Sequence, residues 1–227
     1  MNNSDIKKLL YHPKTNKYHF LAQIKAESNY ESFNKKKSAI KSHPFGKQAL
    51  KSTPLPQTFN QLRTNNIIPH SGNLESELAW TMDSIKENAQ LVNRFIQLKL
   101  EFENNILLSN TQKAEELLNK IESEICVSNW GVECSFILAE ENGGTERNWL
   151  LLKEYSTKLK DSLSLFMAEQ SSKKSEEKLS YNRYKKNFEN ITSGVNGLLN
   201  EYLCYKILYP GYTGFQNFSF LVNVESV

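Results

Sequence analysis

A long helical periodicity of apolar residues is the feature that most constrains how this chain can fold. Apolar residues recur at spacings of four and three along residues 78–96, which places them on one face of an α-helix. They are Leu78, Met82, Ile85, Ala89, Val92 and Ile96. Neither Gly nor Pro occurs in residues 74–130. The pattern therefore predicts one helix from about residue 75 to 108, with an apolar stripe that packs within a bundle or docks on another chain.

Further helices follow at intervals set by capping and breaking residues. Polar residues 109–111 end the first helix and offer N-caps for a second, which runs to about residue 125. A third helix is predicted over 128–141, ended by Gly143 and Gly144. Residues 149–166, 181–191 and 198–209 supply three more. We therefore expect a mainly α protein, an irregular helical bundle or helical-hairpin array of about six helices.

The helix pair over residues 89–125 resembles a tetratricopeptide-like helical hairpin. The matching residues are Phe102 in the first helix and Ala114 and Leu118 in the second. The Gly, Tyr and Pro positions of that family are not filled at the expected offsets, and no second unit repeats the pattern. The sequence assigns no family on this basis.

Residues 1–73 differ from the rest and predict a basic, turn-rich, partly ordered arm. All four histidines and five of the six prolines lie there. Residues 1–74 hold 12 Lys+Arg against three acids, whereas residues 75–227 hold 16 against 22. Such asymmetry predicts an arm that contacts something acidic or packs on its own acidic body. The predicted domains are the arm (1–73), a helical domain (74–210) and an aromatic tail (211–227) that could start a further element.

Catalytic and metal-binding patterns are absent from the helical body. No His follows His70, so a Ser-His or Cys-His nucleophile pair cannot form within that body. Cys126 and Cys134 are eight residues apart without a nearby His, which predicts buried thiols rather than a zinc site. No phosphate-binding loop is present. We expect no catalytic residue, no metal and no cofactor, and favour a protein that is not an enzyme.

Two basic patches with interspersed aromatic residues suggest contact with nucleic acid. Lysines neutralise phosphates, and aromatic rings stack on unpaired bases. The patch in the arm comprises Lys35, Lys36, Lys37, Lys41, Lys47 and Lys51, interleaved with Phe33, His43 and Phe45. The second patch comprises Arg183, Lys185 and Lys186, beside Tyr181 and Tyr184. The alternative is a solvated arm and a helix whose aromatic residues face the core while its lysines face water.

An aromatic run near the C-terminus suggests a surface for a protein partner or for self-association. Aromatic residues are enriched at interfaces, although core packing explains part of such a run. The candidate interface residues are Tyr202, Tyr205, Tyr209, Tyr212, Phe215 and Phe218.

These patterns lead to one hypothesis and two alternatives. The first residues carry no apolar signal-peptide core, and no stretch approaches 18 uninterrupted apolar residues, which predicts a cytoplasmic protein without a membrane span. The excess of Lys and Asn suggests a bacterial source. We hypothesise a non-catalytic helical interaction or scaffold module of a larger bacterial assembly. The alternatives are a nucleic-acid-binding module, in an antiviral or mobile-element system, and a regulatory N-terminal part of a longer enzyme.

Overall fold

A computed structural model describes residues 2–26, 29–50, 55–62, 71–176 and 179–208, and these residues are mainly α-helical. The mainly α class is confirmed, but the described ranges hold eleven α-helices rather than about six. The helices are α1 (Asn3–Tyr11), α2 (Lys17–Ala26), α3 (Tyr30–Lys41), α4 (Pro44–Ala49), α5 (Leu74–Glu87), α6 (Ala89–Leu107), α7 (Thr111–Glu124), α8 (Asn129–Lys158), α9 (Ser162–Ser175), α10 (Tyr181–Thr192) and α11 (Leu198–Leu208). Phe59–Gln61 adds a 3-10 turn. No described helix is both long and apolar enough to cross a bilayer.

The additional helices lie mostly in the segment with frequent turn signals. The side chains of Asn2 and Asn29 cap α1 and α3, each accepting a backbone N–H bond of 2.9 Å. Pro44 occupies the first position of α4, where its missing N–H costs no hydrogen bond. Helices of six to twelve residues are too short for a helical period to stand out in the sequence.

The N-terminal unit comprises α1 to α5, and its described residues are 2–26, 29–50 and 71–89. Its core contains fully buried side chains from α1, α2 and α3. These include Ile6, Leu10, Leu21, Ile24, Phe33 and Ile40. The ring of Phe33 packs on that of Trp80 in α5, with centroids 4.3 Å apart. In this unit α5 packs with the helices that precede it, whereas the predicted helical domain begins at residue 74 and includes α5.

The C-terminal unit comprises residues 55–62 and the described residues from Gln90 to Leu208. Its core has three parts, centred on Phe102 and Ile121, on Phe136 and Tyr155, and on Phe188. Residues 55–62 lie against this unit, because the backbone N–H of Val127 donates to the carbonyl of Pro56 over 2.7 Å.

Three interruptions give the helix boundaries more closely than the sequence predicts them. The helix predicted over 75–108 is divided at Asn88 into α5 and α6. Gly144 interrupts α8 with φ 62° and ψ −160°, at the break predicted from the Gly pair, because this backbone region is open essentially only to glycine. The helix predicted over 149–166 is divided at residues 159–161, where Asp161 caps α9.

Candidate functional site

Helix α5 has an unusual distribution of polar and apolar side chains. The face that packs into the N-terminal unit includes Glu77, which is 1% exposed, and Asp83, which is 8% exposed. The opposite face carries four large apolar side chains, exposed by between 42% and 54%. They are Leu74, Leu78, Met82 and Ile85, and we call them the α5 stripe. All but Leu74 belong to the apolar periodicity of residues 78–96.

A buried ion pair fixes this orientation. The ammonium of Lys25 in α2 lies 2.6 Å from a carboxylate oxygen of Glu77, and both side chains are at most 5% exposed. The other oxygen of Glu77 accepts bonds from the backbone N–H and the hydroxyl of Ser71, over 2.6 and 2.8 Å. Burial lowers the pKa of Lys25, although the bond to Glu77 opposes that effect. The pair is tolerated inside the unit because its carboxylate has several donors.

A second set of ion pairs joins α3 to the far end of α5. The ammonium of Lys37 contacts the carboxylates of Asp83 and Glu87, and that of Lys41 lies 2.8 Å from Glu87. Burial opposes the charge on Lys37, but its hydrogen bonds to Asp83 and Glu87 outweigh burial and raise the pKa of Lys37. The bonds from Lys37 and Lys41 lower the pKa of Glu87. Part of the basic segment therefore packs on an acidic helix of its own chain.

These contacts divide the first predicted basic patch. Lys37 and Lys41 are neutralised by α5, whereas Lys35 and Lys47 are exposed and Lys36 is half-buried, with no ion pair to another described residue. Of the aromatic residues, Phe33 is buried and Phe45 is half-buried. Lys51 lies outside the described residues.

The second predicted patch lies on α10. Arg183 and Lys186 are exposed, and Lys185 lies 3.9 Å from Glu189 one turn away. Tyr184 is buried and its hydroxyl donates to the carbonyl of Gln170 over 3.3 Å. The hydroxyl of Tyr181 donates to the carbonyl of Leu208 over 2.9 Å. The aromatic rings of α10 therefore anchor the helix, and its cations face water.

Only the beginning of the aromatic run can be located. Tyr202 is buried and Tyr205 is half-buried in α11. Tyr209, Tyr212, Phe215 and Phe218 lie outside the described residues.

The C-terminal unit contains a polar cavity of about 310 Å³ lined mainly by α7 and α8. In its wall the hydroxyl of Tyr155 donates to that of Ser135 over 3.1 Å, and burial raises the pKa of Tyr155 to about 12. Burial also raises the pKa of Glu122, one of whose oxygens is buried without a hydrogen-bond partner among the described residues. Sequence reasoning missed this cavity because α7 and α8 contribute residues distant in the chain.

Metal-binding and thiol chemistry depend on how Cys, His and carboxylate side chains are grouped and buried in the described part of the chain. No group of three His, Cys, Asp or Glu side chains there could hold a metal ion. Cys126 and Cys134 are buried, as the sequence predicts, and burial raises the pKa of both thiols. Thiols in such surroundings are poor nucleophiles.

Compared with protein-family models, with curated proteins and with solved structures, the chain matches none of them. Among the features described above, the α5 stripe is an exposed set of large apolar side chains on one helix. The periodicity of residues 78–96 reveals the stripe itself, but not that it faces solvent. The exposure of the stripe depends on the ion pairs that Glu77 and Asp83 make with α2 and α3.

Proposed function

We propose that this chain is a non-catalytic helical interaction module and that the α5 stripe is its binding surface. The observation that supports the proposal is the placement of carboxylates on the inner face of α5 and of Leu74, Leu78, Met82 and Ile85 on its outer face. Scattered apolar side chains on a surface are common. Four along one side of a single helix form a continuous apolar strip of the kind that lies in interfaces.

The cost of this arrangement supports the proposal further. Transferring two charged groups from water into a protein interior is unfavourable, and good geometry is needed to offset it. A helix with the apolar face of α5 would gain free energy by burying that face in its own unit. Lys25, Lys37 and Lys41 instead hold the acidic face inward. A partner that covers the stripe would recover the missing apolar burial.

Site-specific photo-crosslinking in the living cell tests the proposal. A photoreactive amino acid replaces Met82 in the stripe, and the matched control replaces Leu9 on α1, an apolar residue that is 39% exposed in the same unit. We expect covalent adducts with protein from position 82 and few from position 9. Absence of adducts at position 82, or equal yields at the two positions, would contradict a binding role for α5.

A further inference from the structure

We infer that the occupant of the α5 stripe is a second copy of this chain, with the two α5 helices antiparallel about a twofold axis. The inference rests on the proposed function, since it names the partner for the same surface. It is carried by the positions of the apolar and charged residues along α5, which complement each other when the helix meets its own reversed copy. A surface that is complementary to itself in this way is what a twofold dimer requires.

The apolar residues are arranged symmetrically about the middle of the helix. Leu78 and Met82 lie two residues to either side of position 80, while Leu74 and Ile85 lie six and five residues from it. In an antiparallel pair centred near that position, Leu78 lies opposite the partner's Met82. Leu74 then lies opposite the partner's Ile85. Each apolar side chain therefore meets another across the axis.

The charges beside the stripe show the same symmetry. Glu75 in the first turn and Lys86 in the last turn are both exposed. They are 11 residues apart, close to three full turns, so both lie along the same side of the stripe. A twofold axis between antiparallel helices keeps that side in common. Glu75 of each copy then lies beside the partner's Lys86, which gives two favourable contacts.

A parallel arrangement lacks this complementarity. In a parallel pair the twofold axis runs along the helices, so Glu75 of one copy and Lys86 of the other stay 11 residues apart along the axis. At a rise of about 1.5 Å per residue they are too far apart to form an ion pair. The parallel arrangement also aligns the two helix dipoles, whereas the antiparallel arrangement sets the positive end of each beside the negative end of the other. The sequence of α5 therefore favours the antiparallel pair.

The size of the stripe sets the expected strength. Four half-exposed apolar side chains offer a few hundred Å², less than the roughly 800 Å² that each partner buries in a stable interface. We therefore expect a reversible dimer whose population rises with concentration between the low micromolar and the millimolar range. Analytical ultracentrifugation of the full chain measures this directly.

Charge exchange across the pair is the decisive experiment. Glu75→Lys alone and Lys86→Glu alone should each weaken dimerisation about tenfold, since each substitution turns two attractive contacts into repulsive ones. The double variant Glu75→Lys/Lys86→Glu should regain the dimerisation constant of the original chain, because opposite charges then face each other again at positions 75 and 86. Circular dichroism confirms that every variant keeps its helical content.

The outcomes separate this inference from the proposed function. A chain that stays monomeric at millimolar concentration, or a dimer unchanged by the single substitutions, overturns the antiparallel pair. If a different protein is crosslinked from position 82 while the chain stays monomeric, the interaction module stands and the second copy is excluded. If position 82 yields no adduct and the chain stays monomeric, both proposals fail.

Discussion

Among single residues, Lys25 and Glu77 form the most deeply buried ion pair of the described part of the chain. Both side chains are almost fully buried and their charged atoms are 2.6 Å apart. Removing one partner from a buried pair leaves an uncompensated charge, whereas replacing both with apolar residues removes the desolvation cost as well. The pair therefore serves less to stabilise the unit than to specify which face of α5 turns inward.

This difference gives the first prediction. Lys25→Met should lower the free energy of unfolding by about 3–5 kcal/mol, because Glu77 stays buried without its cation. Lys25→Met/Glu77→Leu should recover most of that loss. Urea unfolding, followed by circular dichroism, measures both variants against the original chain. Equal destabilisation by the single and the double variant would show that the charge on Glu77 is not the cause.

At the scale of elements, the helix boundaries show what the sequence can predict. The cap at Ser128 and the glycine at position 144 act within one turn of the chain, so local sequence reveals them. The cap at Asp161 was missed, because the apolar period of the predicted helix 149–166 continues across it. The orientation of α5 does not have a local cause. It follows from ion pairs to Lys25, Lys37 and Lys41, residues between 46 and 52 positions earlier in the sequence. Periodicity alone identified the apolar face but assigned it no partner.

The cap of α9 gives a prediction with a defined pH dependence. The Asp161 carboxylate accepts the backbone N–H of Ser164 over 2.9 Å. Burial acts to raise the pKa of Asp161, but the hydrogen bonds it accepts outweigh burial and lower that pKa. A group with a lowered pKa in the folded state stabilises the fold above its unfolded pKa, near 3.9. That contribution is lost as the pH falls through the lowered pKa.

Two substitutions separate the charge from the hydrogen bond at this cap. Asp161→Ala should lower the free energy of unfolding at neutral pH by about 1 kcal/mol. Asp161→Asn keeps an acceptor at the same place and should retain most of the stability, but lose the acid dependence that belongs to this residue. Urea unfolding at several pH values between neutral and acidic is the measurement. If the cap had no effect, the original chain and the two variants would show the same free energy of unfolding at every pH.

At the scale of the whole molecule, net charge is a poor guide to the surface offered to a partner. The sequence predicts an arm that contacts something acidic, and three of its lysines do so within the same chain, on α5. The candidate site could be predicted only in part for the same reason. Composition shows the asymmetry between residues 1–74 and the rest, but not which carboxylates neutralise which lysines. Nucleic-acid binding by the remaining lysines stays a prediction.

Glu87→Gln tests, with a matched control, whether Lys37 and Lys41 bind nucleic acid when they are released from α5. The substitution removes the carboxylate that holds Lys41 and shares Lys37, so both ammonium groups become more available to phosphates. Glu75→Gln changes the net charge equally, on the same helix, without an ion pair to α3. If the first basic patch binds single-stranded DNA, the Glu87 variant should bind more tightly at low salt than the Glu75 variant.

The salt dependence of binding shows whether the released lysines contact the strand. One additional phosphate contact steepens the logarithmic slope of affinity against salt by about 0.7 for single strands. We expect that difference between the two variants in fluorescence anisotropy titrations, carried out at protein concentrations too low for self-association. Identical slopes would mean that Lys37 and Lys41 make no phosphate contacts even when released. Their function would then be confined to holding α5 with its apolar stripe outward.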